Sequence, residues 1–279
     1  MLLGAALSKP EPIAAARTAP PHFAAAQAQL EAELGEAITV DGLTGTWFIF
    51  QRARGHRHSI DDVLTAHYAL EVSPPVTAHL DLGTGIGTVG LLVLSRMPGE
   101  ATLVAIEAQT ASHRLLLANL AANGLTNRVR PMLGDLRELN APERFPLITG
   151  SPPYFPVSAG IVPQDSQKAH ARFELRGDIS DYARASARAL TPEGWFVFCF
   201  PTVQKQRAQG AVASAGLHVA RLRDVIPRDG LASLFSLFAC RLGRSSTSPV
   251  ADPPLIVRTA DGAVSDEMAS VRRGFGFGT

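Results

Sequence analysis

Lysine is nearly missing from this chain: Lys9, Lys168 and Lys205 are the only three, and arginine carries the rest of the positive charge. Phosphate binding or a GC-rich genome would each produce that bias. A formal net charge of +1 makes no global demand for a polyanionic partner. Cysteine is as scarce. Cys199 and Cys240 are the only two, each inside an apolar, strand-like run, so neither a disulfide framework nor metal-ligand spacing is present. Both are expected to be small buried hydrophobes, and no metal is expected. Long apolar runs are also lacking: none approaches the roughly 20 residues of a membrane-spanning helix. The opening Met1 to Leu7 is apolar but short for a signal core, with no basic stretch before it. These absences point to a soluble cytoplasmic protein without membrane contact. No internal repeat is visible.

What is present reads as globular: 279 residues, 46% hydrophobic and 18% charged, enough for one substantial core with appendages. Residues 1–36 form an Ala/Pro-rich tail expected to be mobile, with one polar helix over Phe23 to Leu34. Residues 37–75 form a small module. Ile38 to Val40 and Thr46 to Phe50 make a hairpin around Asp41-Gly42-Leu43-Thr44-Gly45, and Ser59 caps a helix that runs to about Leu70.

Residues 76–243 alternate regularly. Strand-like runs are Ala78 to Leu82, Thr102 to Ile106, Val129 to Leu133, Leu147 to Gly150, Trp195 to Phe200, Val219 to Val225 and Leu231 to Leu242. Helical stretches over Val89 to Arg96, Thr110 to Asn123, Ile179 to Leu190 and Gln204 to Ala215 fall between them. That order means an α/β fold: a largely parallel, Rossmann-like sheet with helices on both faces. The last two strands share only a turn, so the seventh is expected antiparallel to the sixth. Residues 244–279 read as a linker, Ser245 to Pro254, then a short added strand at Leu255 to Val257 and a tail.

Two segments carry chemistry. Asp81-Leu82-Gly83-Thr84-Gly85-Ile86-Gly87 is a glycine-rich turn closing an apolar strand, where backbone N–H groups can approach a cofactor closely. It has two readings. Gly85-x-Gly87-x-x-Gly90 matches the dinucleotide fingerprint, with Glu107 as the ribose acid. Asp81-x-Gly83-x-Gly85-x-Gly87 instead resembles motif I of S-adenosylmethionine enzymes. The acid directly ahead of the glycines, Gly134-Asp135-Leu136 after the third strand, and the segment closing the fourth all favour the second reading.

That closing segment is Ser151-Pro152-Pro153-Tyr154. An aromatic amine is a poor nucleophile, because its lone pair is delocalised into the ring. Accepting both of its N–H hydrogens, on the Ser151 hydroxyl oxygen and the Pro152 carbonyl, favours the sp³-like nitrogen of the transition state. The prolines stiffen the loop, and Tyr154 with Phe155 offers a stacking face for a flipped base.

The chain further resembles the bacterial tRNA(Val) adenine-N6-methyltransferases, of the class I S-adenosylmethionine-dependent superfamily. The likeness runs through Thr39-x-Asp41-x-Leu43-x-Gly45, Gln51-x-x-x-Gly55-x-Arg57-x-Ser59-Ile60-Asp61-x-Val63-Leu64, Asn123-Gly124-Leu125, Pro152-Pro153-Tyr154-Phe155, Ala171-Arg172-x-Glu174 and Leu255 to Met268, over residues 38–270. It implies a seven-stranded class I methyltransferase sheet with a terminal antiparallel strand, and S-adenosylmethionine leaving as S-adenosylhomocysteine. By that resemblance Asp81, Gly83, Thr84, Gly85, Gly87, Glu107, Ala108, Asp135, Leu136 and Ser151 are the expected cofactor contacts. Ser151, Pro152, Pro153 and Tyr154 are the expected catalytic loop, and Phe155, His58, Arg57 and Arg172 the expected substrate contacts. Ser151 stands where that family usually has Asn. The expected function is N6-adenine methylation of structured RNA, tRNA first. The alternatives are DNA, a protein glutamine or a small-molecule amine as acceptor, or a catalytically silent methyltransferase-like RNA-binding subunit. Arg52, Arg54, His56, Arg57 and His58, then Arg221, Arg223 and Arg228, then Arg241, Arg244, Arg272 and Arg273, are candidate phosphate contacts. Lys168, His170, Arg172 and Glu174 are a candidate substrate lid.

Overall fold

The structure is a computed structural model and describes residues 18–55, 57–139, 143–155, 173–175 and 177–277. Helix α1 (Pro21–Leu34) begins with proline in its first turn, where the missing N–H has no intrahelical partner to lose. Strands β1 (Ile38–Gly42) and β2 (Phe48–Arg52) pair antiparallel. The Thr44 hydroxyl accepts from the N–H groups of Thr46 and Trp47 and shapes their turn. Helix α2 (Ile60–Val72) follows, with the Ser59 N–H donating 3.0 Å to the Asp62 carboxylate.

The main sheet is built from β3 (Ala78–Leu82), β4 (Thr102–Glu107), β5 (Val129–Leu133), β6 (Phe145–Gly150), β7 (Leu190–Pro201), β8 (Leu217–Ile226), β9 (Phe235–Leu242) and β10 (Val250–Ile256). The strands lie in the order β10-β8-β9-β7-β6-β3-β4-β5. All neighbours are parallel except β9, which runs antiparallel to both β7 and β8. The connecting helices are α3 (Thr88–Leu94), α4 (Thr110–Ala122), α5 (Ile179–Ala189) and α6 (Lys205–Ser214), and α7 (Asp266–Gly274) closes the described chain.

The seventh of the expected strands, β9, runs antiparallel to the sixth, β8, as expected, and is wedged between β7 and β8. The strand count changes: the sheet has eight strands because β10 joins beside β8. The supposed linker contributes to that strand, which starts at Val250 and not at Leu255. Its two prolines are tolerable because β10 is an edge strand. Arg223, 7% exposed, holds the segment down. It donates to the Pro253 carbonyl at 2.9 Å and pairs with Glu71 of α2 at 3.3 Å and with Glu267 of α7.

Strand alternation sends successive side chains to opposite faces. Leu80, Leu82, Phe196, Phe198 and Phe238 enter the core under α5 and α6, while Leu147, Val197 and Cys199 enter the core under α2 and α3. Phe198 and Phe238 stack at 4.7 Å between ring centroids. Fully burying such a ring is worth roughly 1.5–3 kcal/mol. The hairpin is fastened to the second layer by the amide side chains of Asn119 in α4 and of Asn123, which caps that helix. The Phe50 N–H donates to Asn119 at 2.7 Å and the Phe48 N–H to Asn123 at 3.0 Å, which satisfies the open edge of β2.

Candidate active site

The chain leaves β3 for β4 and β5 on one side and crosses to β6 on the other, so β3 and β6 are neighbours although far apart in sequence. In doubly wound sheets a ligand crevice opens at the carboxyl ends of such strands. Register sets the contents. Leu82 pairs with Gly150, which brings Gly83 beside Ser151, and Leu82 also pairs with Ile106, which brings Glu107 beside the glycine turn. Glu107 pairs with Leu133, and Asp135 follows. Asp81, Gly83, Thr84, Gly85, Gly87, Glu107, Ala108, Asp135, Leu136 and the Ser151 to Phe155 segment therefore all belong to one edge of the sheet.

Asp81 is 1% exposed and turns toward α3. Its carboxylate accepts from the hydroxyls of Thr84 and Thr149, each at 2.6 Å, and from the Gly90 N–H at 3.1 Å. Burial pushes its pKa up against those donors. Asp81 thus braces the turn from beneath. Thr149 in turn lies 2.8 Å from His79 Nε2. Because the Thr149 proton goes to Asp81, His79 is the donor in that contact and its proton sits on Nε2; its Nδ1 has no partner. Glu107, 6% exposed, accepts from the Gly85 N–H at 2.9 Å and the Gln109 N–H at 2.7 Å. Asp135 accepts from the Arg137 N–H at 2.9 Å and forms a bidentate pair with its guanidinium.

The glycines of the turn differ in purpose. A methyl group on Gly87 would lie 2.8 Å from Leu116, and one on Gly83 would overlap the Tyr182 hydroxyl. At Gly85, with φ +60°, a methyl group would meet nothing within 4 Å. The open space at the mouth of the turn is over Gly85, beside Glu107.

Ser151 directly follows β6, with its Oγ buried and without a hydrogen-bond partner. Pro152 and Pro153 are buried. Tyr154 is fixed at both ends: its hydroxyl donates to Asp61 at 2.8 Å and lies 3.1 Å from the Cys199 sulfur, while its carbonyl accepts from Gln204 at 2.8 Å. Its ring meets Phe200 edge-on at 5.9 Å. Burial, and then the Asp61 charge, push the Cys199 thiol up to about 12, so it stays neutral. The same causes, in that order, raise the Tyr154 phenol. Cys199 is buried as expected, and it also packs against the Tyr154 hydroxyl.

Some expected residues are otherwise engaged. Arg57 points its guanidinium at Asp41 and Thr39 of the hairpin, each at 2.9 Å. The His58 N–H donates to Gln51. Phe155 bridges to Phe173, and its carbonyl accepts from the Glu174 N–H at 3.0 Å. Glu174 pairs with Arg207 of α6 at 2.5 Å. Arg172, Lys168, His170 and His56 lie outside the described residues. Asp61 and Tyr182 are the residues at this edge that the sequence reading passed over; Asp61 sits within a quoted motif, in the first turn of a helix where an acid is ordinarily assigned to the dipole.

No family model matches the chain. A tRNA1(Val) (adenine(37)-N6)-methyltransferase of Bacteroides thetaiotaomicron is 29% identical over 151 residues, covering 54% of this chain and 63% of that one. A release factor glutamine methyltransferase of Cereibacter sphaeroides is 32% identical over 170 residues, covering 58% and 60%. The match thus spans less than two thirds of each relative. Among solved structures, a predicted O-methyltransferase from Agrobacterium tumefaciens superposes with a TM-score of 0.60 at 19% identity, over 77% of this chain and 96% of that one. In fold and in sequence the chain is similar to methyltransferases.

S-adenosylmethionine is the cofactor that the sequence leads one to expect. The crevice fits it: the glycine turn is open at Gly85, the buried carboxylate of Glu107 stands beside that opening, and Ser151 supplies an unpartnered polar atom. Among the described residues no group of His, Cys, Asp and Glu could hold a metal ion, and no helix is long and apolar enough to cross a membrane.

Proposed function

We propose that the protein transfers a methyl group from S-adenosylmethionine to the exocyclic amine of an adenine in tRNA. The observation that carries this reading is the Ser151 hydroxyl, a buried polar atom with no partner, at the head of a loop whose tyrosine is immobilised. A buried polar group normally finds a hydrogen bond. One left open at the crevice suits a ligand that brings the missing donor, and an amine does. When bound, the cofactor supplies an electrophilic methyl carbon. The chain's part is to hold the nitrogen. Ser151 Oγ and the Pro152 carbonyl accept its two hydrogens, which favours the pyramidal nitrogen, and positioning of this kind is a large share of what an enzyme contributes to such a step. The Tyr154 ring, held by Asp61 and Gln204, gives the base a rigid face. The ammonium product is acidic and releases its proton without a strong base.

Residues at the same edge support contact with a polyanion. Arg228 is exposed in the turn between β8 and β9, at the carboxyl end of β8 and so on the crevice edge of the sheet. Asp81, Gly83, Thr84, Gly85, Gly87, Glu107, Ala108, Asp135 and Leu136 would surround the cofactor, with Ser151 between cofactor and base. Phe155, His58 and Arg57 would lie toward the RNA.

The likeness to a glutamine methyltransferase favours a second reading, in which a side-chain amide fills the same loop. Incubation with radiolabelled S-adenosylmethionine and total tRNA, DNA or release factor decides between them. Label in tRNA, recovered as N6-methyladenosine after digestion, is expected. Label confined to the release factor, with tRNA blank, would overturn the adenine reading. In the same assay Ser151→Ala should lose transfer while keeping cofactor affinity.

A further inference from the structure

Tyr182 has no part in the amine-holding loop, yet it lies in the floor of the crevice. It stands in the first turn of α5. There the Asp178 carboxylate accepts from the N–H groups of Ser180 at 2.8 Å and Asp181 at 3.1 Å, while the Asp178 N–H donates back to the Asp181 carboxylate at 3.0 Å. This reciprocal cap fixes where the helix starts, and so where Tyr182 points. The ring lies across the ends of β3 and β6. A methyl group on Gly150 would sit 2.8 Å from its Cδ1, and one on Gly83 would overlap its hydroxyl.

Tyr182 is only 7% exposed, and no side chain or backbone group among the described residues hydrogen-bonds its hydroxyl. A phenol so placed normally finds a partner in protein, solvent or ligand. Burial, then the charges of Glu107, Asp81 and Asp135, push its pKa up, so it is a neutral O–H donor at any physiological pH. The carboxylates around it make their hydrogen bonds elsewhere: Asp81 to Thr84, Thr149 and Gly90, Glu107 to Gly85 and Gln109, Asp135 to Arg137. A donor is thus held beside the glycine turn with no protein acceptor.

We propose that Tyr182 is a cofactor-contact residue whose hydroxyl donates to the carboxylate of the cofactor's amino-acid portion. This rests on reading the crevice as the S-adenosylmethionine site. A carboxylate is the fitting acceptor: the ribose hydroxyls are themselves donors and suit Glu107, and the amino group suits an acceptor. The contact also ties α5, on one face of the sheet, to a glycine turn that Asp81 braces from the other face.

The test is calorimetric binding of S-adenosylhomocysteine and of 5′-methylthioadenosine, which lacks the amino-acid portion, to the full chain and to Tyr182→Phe. Phenylalanine keeps the ring against Gly83 and Gly150, so unliganded thermal unfolding should be unchanged. The variant should bind S-adenosylhomocysteine roughly tenfold more weakly, the size of a hydrogen bond to a charged group, and 5′-methylthioadenosine with unaltered affinity. Equal binding of S-adenosylhomocysteine by both proteins would overturn the proposal and leave the cofactor reading standing. Equal weakening of both ligands would overturn the assignment to the carboxylate. No binding by the parent protein would overturn the cofactor reading, and the proposal with it.

Discussion

Replacing Gly83 and Gly85 by alanine, one at a time, separates cofactor space from protein packing within a single turn. Both glycines hold a left-handed backbone, at φ +61° and +60°. An added Cβ there costs each variant about 1–2 kcal/mol. At Gly85 nothing else is disturbed, because the new methyl meets no atom within 4 Å. At Gly83 the methyl overlaps the Tyr182 hydroxyl, in a slot where the ring is also pressed against Gly150. Overpacking a filled site adds roughly 1–3 kcal/mol. For a chain of this size each kcal/mol moves the melting temperature by about 2–4 °C. Gly85→Ala should therefore melt roughly 5 °C below the parent, and Gly83→Ala on the order of 10 °C below. Binding should run in a different order. Gly85→Ala, the better folded variant, places its methyl in the crevice opening and should lose roughly tenfold or more in affinity for S-adenosylhomocysteine. Scanning calorimetry and titration calorimetry on the two variants check both halves. A folded Gly85→Ala that binds as tightly as the parent would show that the space over Gly85 is not the cofactor's. Equal melting of the two variants would show that Tyr182 does not fill the floor of the turn.

Three further outcomes follow from other contacts. Tyr154→Phe keeps the ring against Phe200 but removes the hydroxyl from Asp61 and Cys199. Turnover should fall at least several-fold while S-adenosylhomocysteine affinity holds; a fall in affinity with turnover per bound cofactor unchanged would move Tyr154 out of the chemistry. Burial lowers the His79 pKa to about 3, so the fold holds it neutral while the unfolded chain takes up a proton near pH 6.5. Its contribution is complete above pH 6.5 and is lost as pH falls toward 3, at about 1.4 kcal/mol per pH unit. Urea unfolding at pH 7 and pH 5 should show the parent losing about 2 kcal/mol more than His79→Leu, and parallel losses would show that His79 is protonated in the fold. Arg223→Ala leaves Glu71 and Glu267 without their shared cation and the Pro253 carbonyl without its donor. A loss of about 3 kcal/mol is expected in chemical unfolding, and a loss below 0.5 kcal/mol would mean that β10 and α7 are held by apolar packing alone.

The order of elements from β3 to β9 was legible because each strand is a compact apolar run and each helix has a stop signal, as Asn123-Gly124 closes α4. The place of β9 was not, because a hairpin turn says that two strands are antiparallel but not which other strand the second one joins. Strand β10 was hidden by Pro253 and Pro254, which read as linker; only an edge position beside β8 makes them compatible with a strand. Within the site, the two loops announce themselves by composition, and the pairing of Leu82 with Gly150 is what makes them one site. Thr149, His79, Asp61 and Tyr182 are ordinary residues of strands and helices whose work depends on contacts across 60 to 100 positions of sequence, which no local pattern records.

Asp61 shows what that concealment implies for mechanism. It belongs to α2, ahead of the strands that form the crevice, yet its carboxylate is the acceptor for the Tyr154 hydroxyl. The Ser59 hydroxyl donates to its other oxygen, and the Ser59 N–H caps the same helix through Asp62. The segment leading into α2 is anchored in its turn: Arg57 reaches back to Asp41, and the His58 N–H to Gln51, both in the hairpin. The hairpin is itself clamped to α4 by Asn119, whose amide also donates to the Ile86 carbonyl inside the glycine turn at 2.9 Å. One continuous set of hydrogen bonds therefore runs from the hairpin to Tyr154 on one branch and to the glycine turn on the other. The two loops do not depend only on the sheet for their relative position. The N-terminal module is a second brace between them, and displacing the hairpin should disturb cofactor binding and base holding together.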